Sequence, residues 1–183
     1  NVSAHAGGAR RCDAVADAQA LMQVRRAIRA DIPAIIAVEL SAGQLFAGTH
    51  MDWAVGEVSD SDELLGPIED GNVWVAEDGG QIAGYLCGEP LDGNFYIEEI
   101  SVSSAFQRHG VGRLLIEAAA DEARRRGCPA LTLTTDRTLP WNAPYYARIG
   151  FRMVSAQELS AALAAELTSK PNAHLRCAMI WLL

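Results

Sequence analysis

The sequence contains no apolar run of the roughly 18 residues that a membrane-spanning helix needs. Its N-terminus also lacks the apolar block of a secretory signal. These two absences predict a cytoplasmic protein with no membrane partner. With 183 residues, the chain is long enough to bury the core of a single domain.

Cysteine is scarce and widely spaced. The four cysteines include no C-x-x-C pair, and the four histidines show no metal-ligand spacing near them. The cysteines are Cys12, Cys87, Cys128 and Cys177. We therefore expect neither a disulfide framework nor a metal site.

Basic residues are absent from a long acidic part of the chain. From Asp31 through Glu99 there are fifteen Asp or Glu residues and no Lys or Arg. The net charge of −8 disfavours a nucleic-acid partner, because phosphate binding requires a basic face. One half of the fold should therefore carry a negative potential, which either serves solubility alone or attracts a cationic ligand.

Strand-like and helix-like patterns alternate along the chain, which predicts one α/β domain. We expect this domain over residues 23–183, and disorder, an extended start or a cloning remnant over residues 1–22. Asp31 is expected to cap the first helix. The predicted strands cover residues 23–28, a hairpin over 72–90, 94–103, 130–135 and 176–183, and the predicted helices cover 31–46, 60–68, 107–127 and 141–150.

Two glycines stand at the start of the longest predicted helix. Gly110 and Gly112 would each cost up to about 1 kcal/mol relative to Ala if they served only that helix. Free N–H groups over residues 108–113, at the positive end of the helix dipole, would suit an anion. The turn is neither the G-x-G-x-x-G fingerprint nor a P-loop. A plain helix start is the alternative interpretation.

The segment "EEISVSSAFQRHGVGRLLIEAA" resembles motif A of the GNAT superfamily of acyl-CoA-dependent N-acyltransferases, whose signature is Q/R-x-x-G-x-G/A between a strand and a helix. The downstream segment "WNAPYYARIGF" resembles the second motif of that family, and the resemblance covers residues 23–183. It implies a mixed central sheet of about six to seven strands, splayed in the middle, with helices on both faces. It also implies acetyl-CoA as the cofactor.

The same resemblance implies where the cofactor binds. The turn would hold the coenzyme A pyrophosphate, while the preceding strand and the Asn of the second motif would contact the pantetheine arm. His109, inside the turn, is expected to face solvent. The implied cofactor-binding residues are Ile100, Ser101, Val102, Gln107, Arg108, His109, Gly110, Val111, Gly112, Arg113, Asn142 and Tyr145.

The resemblance also implies a proton donor. In the family it is the Tyr four residues before the Gly of the second motif, which is Tyr146 in this chain. A phenol with a pKa near ~10 is protonated at neutral pH, so Tyr146 suits the departing thiolate. Packing of Tyr146 in the core beside Tyr145 is the alternative interpretation.

Two adjacent glutamates are the candidate bases. The stretch "YIEEISV" resembles a strand of the spermidine/spermine N-acetyltransferases, which carries an acidic pair at the same place. Strand alternation predicts that Glu98 shares a face with Ile100 and Val102, and Glu99 with Ser101, so only one glutamate reaches the site unless a bulge intervenes. A carboxylate and an ammonium differ by about 6 pKa units, roughly 8 kcal/mol, so a basic glutamate needs a raised pKa, a less basic amine or a water relay.

The acceptor is expected to be a primary amine on a small molecule or peptide end, and a cationic one because of the acidic stretch. His50 either lines the acceptor pocket with Trp53 and Phe46 or packs in an ordinary loop. The alternatives are an acyl-CoA-binding module without turnover, or an enzyme that modifies a protein N-terminus or lysine. The sequence allows a homodimer and leaves the acyl group open.

Overall fold

The computed structural model describes residues 22–183, so the predictions for residues 1–21, including Cys12, lie outside the described residues. Strands and helices alternate through this part of the chain. The strands are β1 (Gln23–Arg26), β2 (Val73–Asp78), β3 (Gln81–Leu91), β4 (Asn94–Val102), β5 (Ala130–Asp136), β6 (Arg152–Met153) and β7 (Arg176–Leu182). The helices are α1 (Ile32–Gly43), α2 (Ser61–Glu69), α3 (Val111–Arg125), α4 (Ala143–Arg148) and α5 (Ala161–Ser169).

The seven strands within residues 22–183 form one open mixed sheet in the order β1-β2-β3-β4-β5-β7-β6. The pairing of β4 with β5 is parallel, and the other neighbouring pairs are antiparallel. This confirms the predicted α/β fold with a mixed sheet of six to seven strands. Both β6 and α5 lie in a stretch to which no element was assigned from the sequence.

Helices cover both faces of the sheet. The larger core, which includes Leu86, Phe95 and Leu131, packs against α3 and α4 on one face. On the other face, α1 and α2 pack over the first half of the sheet, and α5 packs over Tyr96 and Ala178. Apolar residues in the strands therefore alternate between two helical layers, as expected for a sheet that is buried on both sides.

Asp31 stands at the N-cap of α1 as predicted, but its side chain caps no amide of that helix. Its carboxylate instead accepts two hydrogen bonds from the Arg25 guanidinium, at 2.7 and 2.9 Å, and one from the Ile28 amide. A bidentate pair with arginine is stronger than a single capping bond. The acid therefore ties the start of α1 to strand β1.

A β-bulge in β4 separates this strand from β5. Glu99 pairs with Cys87 of β3 and Ile97 pairs with Gly88, so Glu98 has no partner on β3. The parallel pairing of β4 with β5 stops at Ile97. Because a bulge bends its strand and increases the local twist, β4 diverges from β5 beyond this point. The predicted splay of the sheet thus lies directly after the bulge.

None of the helices within residues 22–183 combines the length and the apolarity required to cross a bilayer. No group of three or more His, Cys, Asp or Glu residues in this part of the chain comes together as a metal site.

Gly88 lies on β3 beside the bulge, at a position with no room for a side chain. A Cβ there would lie 2.5 Å from Cε1 of Phe95 and 2.6 Å from the carbonyl oxygen of Tyr96. We therefore expect Gly88→Ala to lower the free energy of unfolding by about 1–3 kcal/mol, measured by urea denaturation. Gly66→Ala is the control, since a Cβ at Gly66 in α2 meets no atom of the described residues within 4 Å apart from its chain neighbours and its own helix backbone. The helical gain from alanine is offset by Pro67, which disfavours a Cβ on the preceding helical residue, so we expect a change in stability below about 1 kcal/mol. Equal losses in the two variants would contradict this packing.

Candidate active site

A cavity of about 500 Å³ opens where β4 leaves β5. Its walls come from α1, α2 and the loop between them, from the middle of β3, and from the segment before β7. Residues 97–101 of β4 and 133–135 of β5 form its base, and Asn142 and Tyr146 reach it from the α4 side of the sheet. The gap between the two strands therefore connects the two faces of the sheet.

Both candidate glutamates line this cavity. Glu98 lies two residues after Tyr96 and points to the same side of the sheet. After the bulge, Glu99 lies opposite Cys87 and also points to that side. Both side chains are therefore on the face that carries α1, α2 and α5. The prediction that Glu98 shares a face with Ile100 and Val102 is wrong, because those two side chains pack on the α3 face. The predicted side shared by Glu99 and Ser101 is correct.

Glu99 has the electrostatic surroundings of a base. Its side chain faces the cavity, and its Oε1 accepts a 2.9 Å hydrogen bond from the Ser101 hydroxyl. Desolvation by the surrounding cavity atoms, together with the charges of Glu39 and Glu98, raises the pKa of Glu99 to about 7, while Ser101 and Lys170 act in the opposite direction. At neutral pH this carboxyl group exists in comparable amounts of both protonation states.

Tyr146 approaches the same cavity from the opposite side of the gap. Its ring packs on Tyr145 and Phe151, with ring centroids 5.4 and 5.7 Å away. Burial and the negative charge of Glu99 raise the pKa of the Tyr146 phenol, so the group remains protonated at neutral pH. Tyr146 therefore packs against the core, which was the alternative to a catalytic role, and also lines the cavity.

The glycine turn has a backbone conformation that explains one of its glycines directly. Gly110 is the N-cap of α3 with a φ of 82°, a left-handed conformation that favours glycine. Arg108 also has a positive φ, of 64°. Among residues 22–183, no atom lies within 4 Å of a Cβ added at Gly110, so these residues leave the space above the turn open. Within residues 22–183, no N–H group of residues 108–113 makes a hydrogen bond of good geometry to a protein acceptor.

Gly112 allows a close contact between α3 and Tyr145. A Cβ at this position would lie 3.0 Å from the Tyr145 hydroxyl oxygen, so the glycine lets the ring of Tyr145 approach α3. Gln107 donates from Nε2 to the carbonyl oxygen of Val102 at 3.2 Å and thereby ties the turn to β4. The side chains of Arg108 and His109 are exposed, as expected for His109.

Acidic side chains dominate the cavity wall. Five glutamates face one lysine and one arginine: Glu39, Glu57, Glu63, Glu98, Glu99, Lys170 and Arg176. The buried Glu39 carboxylate accepts from the Ser59 amide at 2.8 Å, from the Ser59 hydroxyl at 2.6 Å and from the Tyr85 hydroxyl. Glu39 was not predicted as a cavity residue, although its position four residues after Ile35 places a charge on the apolar stripe of α1.

His50 lies outside the cavity wall, whereas Phe46 and Trp53 belong to it. The Nε2 atom of His50 is 2.6 Å from Oδ2 of Asp136, which joins the loop after α1 to the end of β5. Burial opposes ionisation of Asp136, but hydrogen bonds from His50, Leu139 and Thr138 outweigh it and lower its pKa to about 2. His50 thus positions a wall of the cavity rather than lining it.

Cys87 is the one cysteine of the described residues that lines the cavity. Burial and the nearby charges of Glu98 and Glu99 raise the pKa of its thiol to about 12. Because the thiolate is the nucleophilic form of cysteine, a group protonated to this degree is poorly suited to covalent catalysis.

Comparison with known proteins agrees with this geometry. The model of the acetyltransferase (GNAT) family matches residues 44–151. The probable N-acetyltransferase camello of Xenopus tropicalis is 30% identical over 106 residues, which are 56% of this chain and 48% of that protein. The chain thus spans about half the length of this curated relative.

Two solved structures share the fold. The PaiA N-acetyltransferase of Thermoplasma acidophilum in complex with coenzyme A aligns with a TM-score of 0.68 and 13% identity, over 89% of this chain and 99% of that one. The N-acetylglutamate synthase of Neisseria gonorrhoeae, complexed with coenzyme A and N-acetyl-glutamate, aligns with a TM-score of 0.69 and 20% identity, over 90% of this chain and 36% of that one. With a family model that matches more than half of its length, this chain belongs to the acetyltransferase (GNAT) family.

Proposed function

We propose that the protein is an acetyl-CoA-dependent N-acetyltransferase that acts on a cationic primary amine by direct attack in a ternary complex. One observation carries the proposal: Glu99 and Tyr146 reach the same cavity from opposite sides of the gap between β4 and β5. A base on the acceptor side and an acid on the cofactor side are the two groups that amide formation from a thioester requires.

The residues around the gap suit acetyl-CoA, which when bound supplies an acetyl thioester. The free N–H groups of residues 108–113 and the open space above Gly110 fit a pyrophosphate at the head of α3. Within residues 22–183, the β4 backbone beyond Ile97 has no strand partner on the β5 side, so residues 100–102 can hydrogen-bond an extended pantetheine arm. Asn142 would contact the same arm from the α4 side.

Glu99 takes the proton of the acceptor amine in this proposal. Because the pKa of Glu99 is about 7 and that of an ammonium is about 10.4, the difference between them shrinks to about 3.4 units, or roughly 5 kcal/mol. The remaining difference is within reach of an amine whose own pKa is lowered as it enters the cavity. Glu98, on the same face, adds negative charge that holds the cationic amine.

Tyr146 provides the proton for the departing sulfur. Its raised pKa keeps the phenol protonated, but complete transfer to a thiolate with a pKa of about 8.5 is then uphill. We therefore assign Tyr146 a hydrogen bond to the sulfur as negative charge develops there, with proton transfer coupled to deprotonation of the amine by Glu99.

The acidic wall selects the acceptor. Five glutamates in one cavity raise the local concentration of a cationic amine and its association rate. This charge comes from the stretch that lacks Lys and Arg, so the stretch has a function beyond solubility.

Replacing the acid should separate chemistry from binding. We expect Tyr146→Phe to lower kcat by about 100-fold or more while the affinity for acetyl-CoA and the melting temperature stay close to wild type, because the ring packing is retained. Thiol release from acetyl-CoA and calorimetric titration measure the two quantities. A wild-type protein that binds acetyl-CoA but releases no thiol with any amine would instead be a binding module.

The base should appear in the pH profile. Because Glu99 acts deprotonated and its pKa is near 7, kcat/KM of the wild type should rise with pH through about 7 and then level off. We expect Glu99→Gln to lose this acid limb and about 100-fold in kcat. Glu98→Gln, which removes the same charge one residue away, should retain the limb. An unchanged limb in Glu99→Gln would assign the base elsewhere.

Acceptor selection by charge should depend on salt. Between about 0.05 and 0.5 M NaCl, kcat/KM for a diamine should fall several-fold, while that for a neutral amine stays nearly constant. Glu57→Gln should raise KM for the diamine by about two- to five-fold. Glu69→Gln, at the exposed end of α2, is the matched control and should leave KM unchanged. Equal, salt-independent turnover of diamines and neutral amines would refute a cationic acceptor.

A further inference from the structure

The cavity contains a cation whose hydrogen-bonding capacity is mostly unused. Arg176, the first residue of β7, lines the cavity. Its Nη2 donates to the carbonyl oxygen of Thr134 at 3.0 Å and lies 3.4 Å from the Thr134 hydroxyl. Its Nε is buried without a partner. Nη1 also donates to no atom within residues 22–183. Unlike Nε, it is not one of the buried polar atoms of that part of the chain, so a ligand can reach it.

This guanidinium also lacks a counter-ion. Arg25 and Arg26 each form an ion pair with a carboxylate, at 2.7 and 2.6 Å. Arg176 forms none within the described residues. Burial lowers its pKa, and the carboxylates of Asp136 and Glu99 act on it only at longer range. A half-buried charge without a partner is costly, so its retention in a cavity wall suggests a ligand.

We propose that Arg176 binds a carboxylate of the acceptor, which makes the acceptor an amino acid with a cationic side chain rather than a diamine. The inference rests on the proposed function, since it concerns the same cavity. The glutamates of the wall would hold the ammonium groups, and the free Nη1 donor of Arg176 would hold the carboxylate. Arginine is well suited to this contact because its planar guanidinium matches carboxylate geometry.

The position of Arg176 explains why a carboxylate would bind at this point. Thr134 lies one residue beyond the last pair between β4 and β5, and the arginine reaches it at the edge of the gap. The charge of Glu99 acts on Arg176, so the proposed base and the proposed carboxylate site are neighbours in one cavity. Lys170 adds a second positive charge to the same wall.

Two pairs of amines that differ by a single carboxylate test the inference. Lysine is cadaverine plus a carboxylate, and ornithine is putrescine plus a carboxylate. A charged hydrogen bond corresponds to about a ten-fold effect or more, so wild-type kcat/KM should favour the amino acid of each pair by at least about ten-fold, mainly through KM. Lysine amide, which keeps the shape but lacks the charge, should behave like cadaverine.

In the variant Arg176→Gln, kcat/KM for each amino acid should fall to about the value for its diamine, so that the ratio of the two is close to one. Turnover of the diamines should persist. Arg124→Gln removes the same charge from the exposed face of α3 and should keep the wild-type ratio. If Arg176→Gln does not fold, lysine amide against lysine on the wild-type enzyme decides the question.

The outcomes separate the two proposals. Equal kcat/KM for diamines and amino acids in the wild type, or an unchanged ratio of these values in Arg176→Gln, would overturn carboxylate binding. Either result would leave the acetyltransferase proposal standing. Equal losses on all four amines in a folded Arg176→Gln would assign Arg176 to holding Thr134 and would also overturn it. Absence of thiol release with all four amines on the wild type would instead contradict the proposed acceptor class itself.

Discussion

The bulge at Glu98 is the constraint on which the candidate site depends. Because β3 continues to pair with β4 across a shifted register, β4 bends away from β5 after Ile97. The same extra residue brings Glu98 and Glu99 to one face. Gly88 permits this arrangement, since any side chain there would overlap the Phe95 ring. A single irregularity thus separates the strands, opens the cavity and places two carboxylates in it.

Electrostatics divides the cavity into distinct parts. Glutamates from α1, α2 and β4 make most of the wall acidic. Desolvation and the repulsion between these carboxylates raise the pKa of Glu99 to about 7. Lys170 and Arg176 come from the chain segment before and at the start of β7 and provide the opposite sign. A dipolar ligand would satisfy both parts of such a cavity better than a simple cation, because each of its charges would find an opposite charge.

Most of the fold was predictable from local patterns. Glycine pairs, β-rich runs and amphipathic stretches located the hairpin, α3 and β7 to within a few residues, and the two motifs identified the family, which the comparison confirms. The register shift in β4 was not predictable, since it depends on how Phe95 packs over Gly88. The cavity contacts of Glu39 and Arg176 were missed for the same reason: each depends on a partner distant in sequence, Tyr85 for one and Thr134 for the other.

The sequence by itself determined the order of the elements, the glycine turn before α3 and the concentration of negative charge between residues 31 and 99, because these features depend on residues close together in the chain. Only the tertiary structure decided that both glutamates face one cavity, that Tyr146 meets them through the gap, and that Arg176 has no counter-ion in the described part of the chain. The physical reason is that orientation on a bent strand and the pairing of charges depend on packing between distant segments.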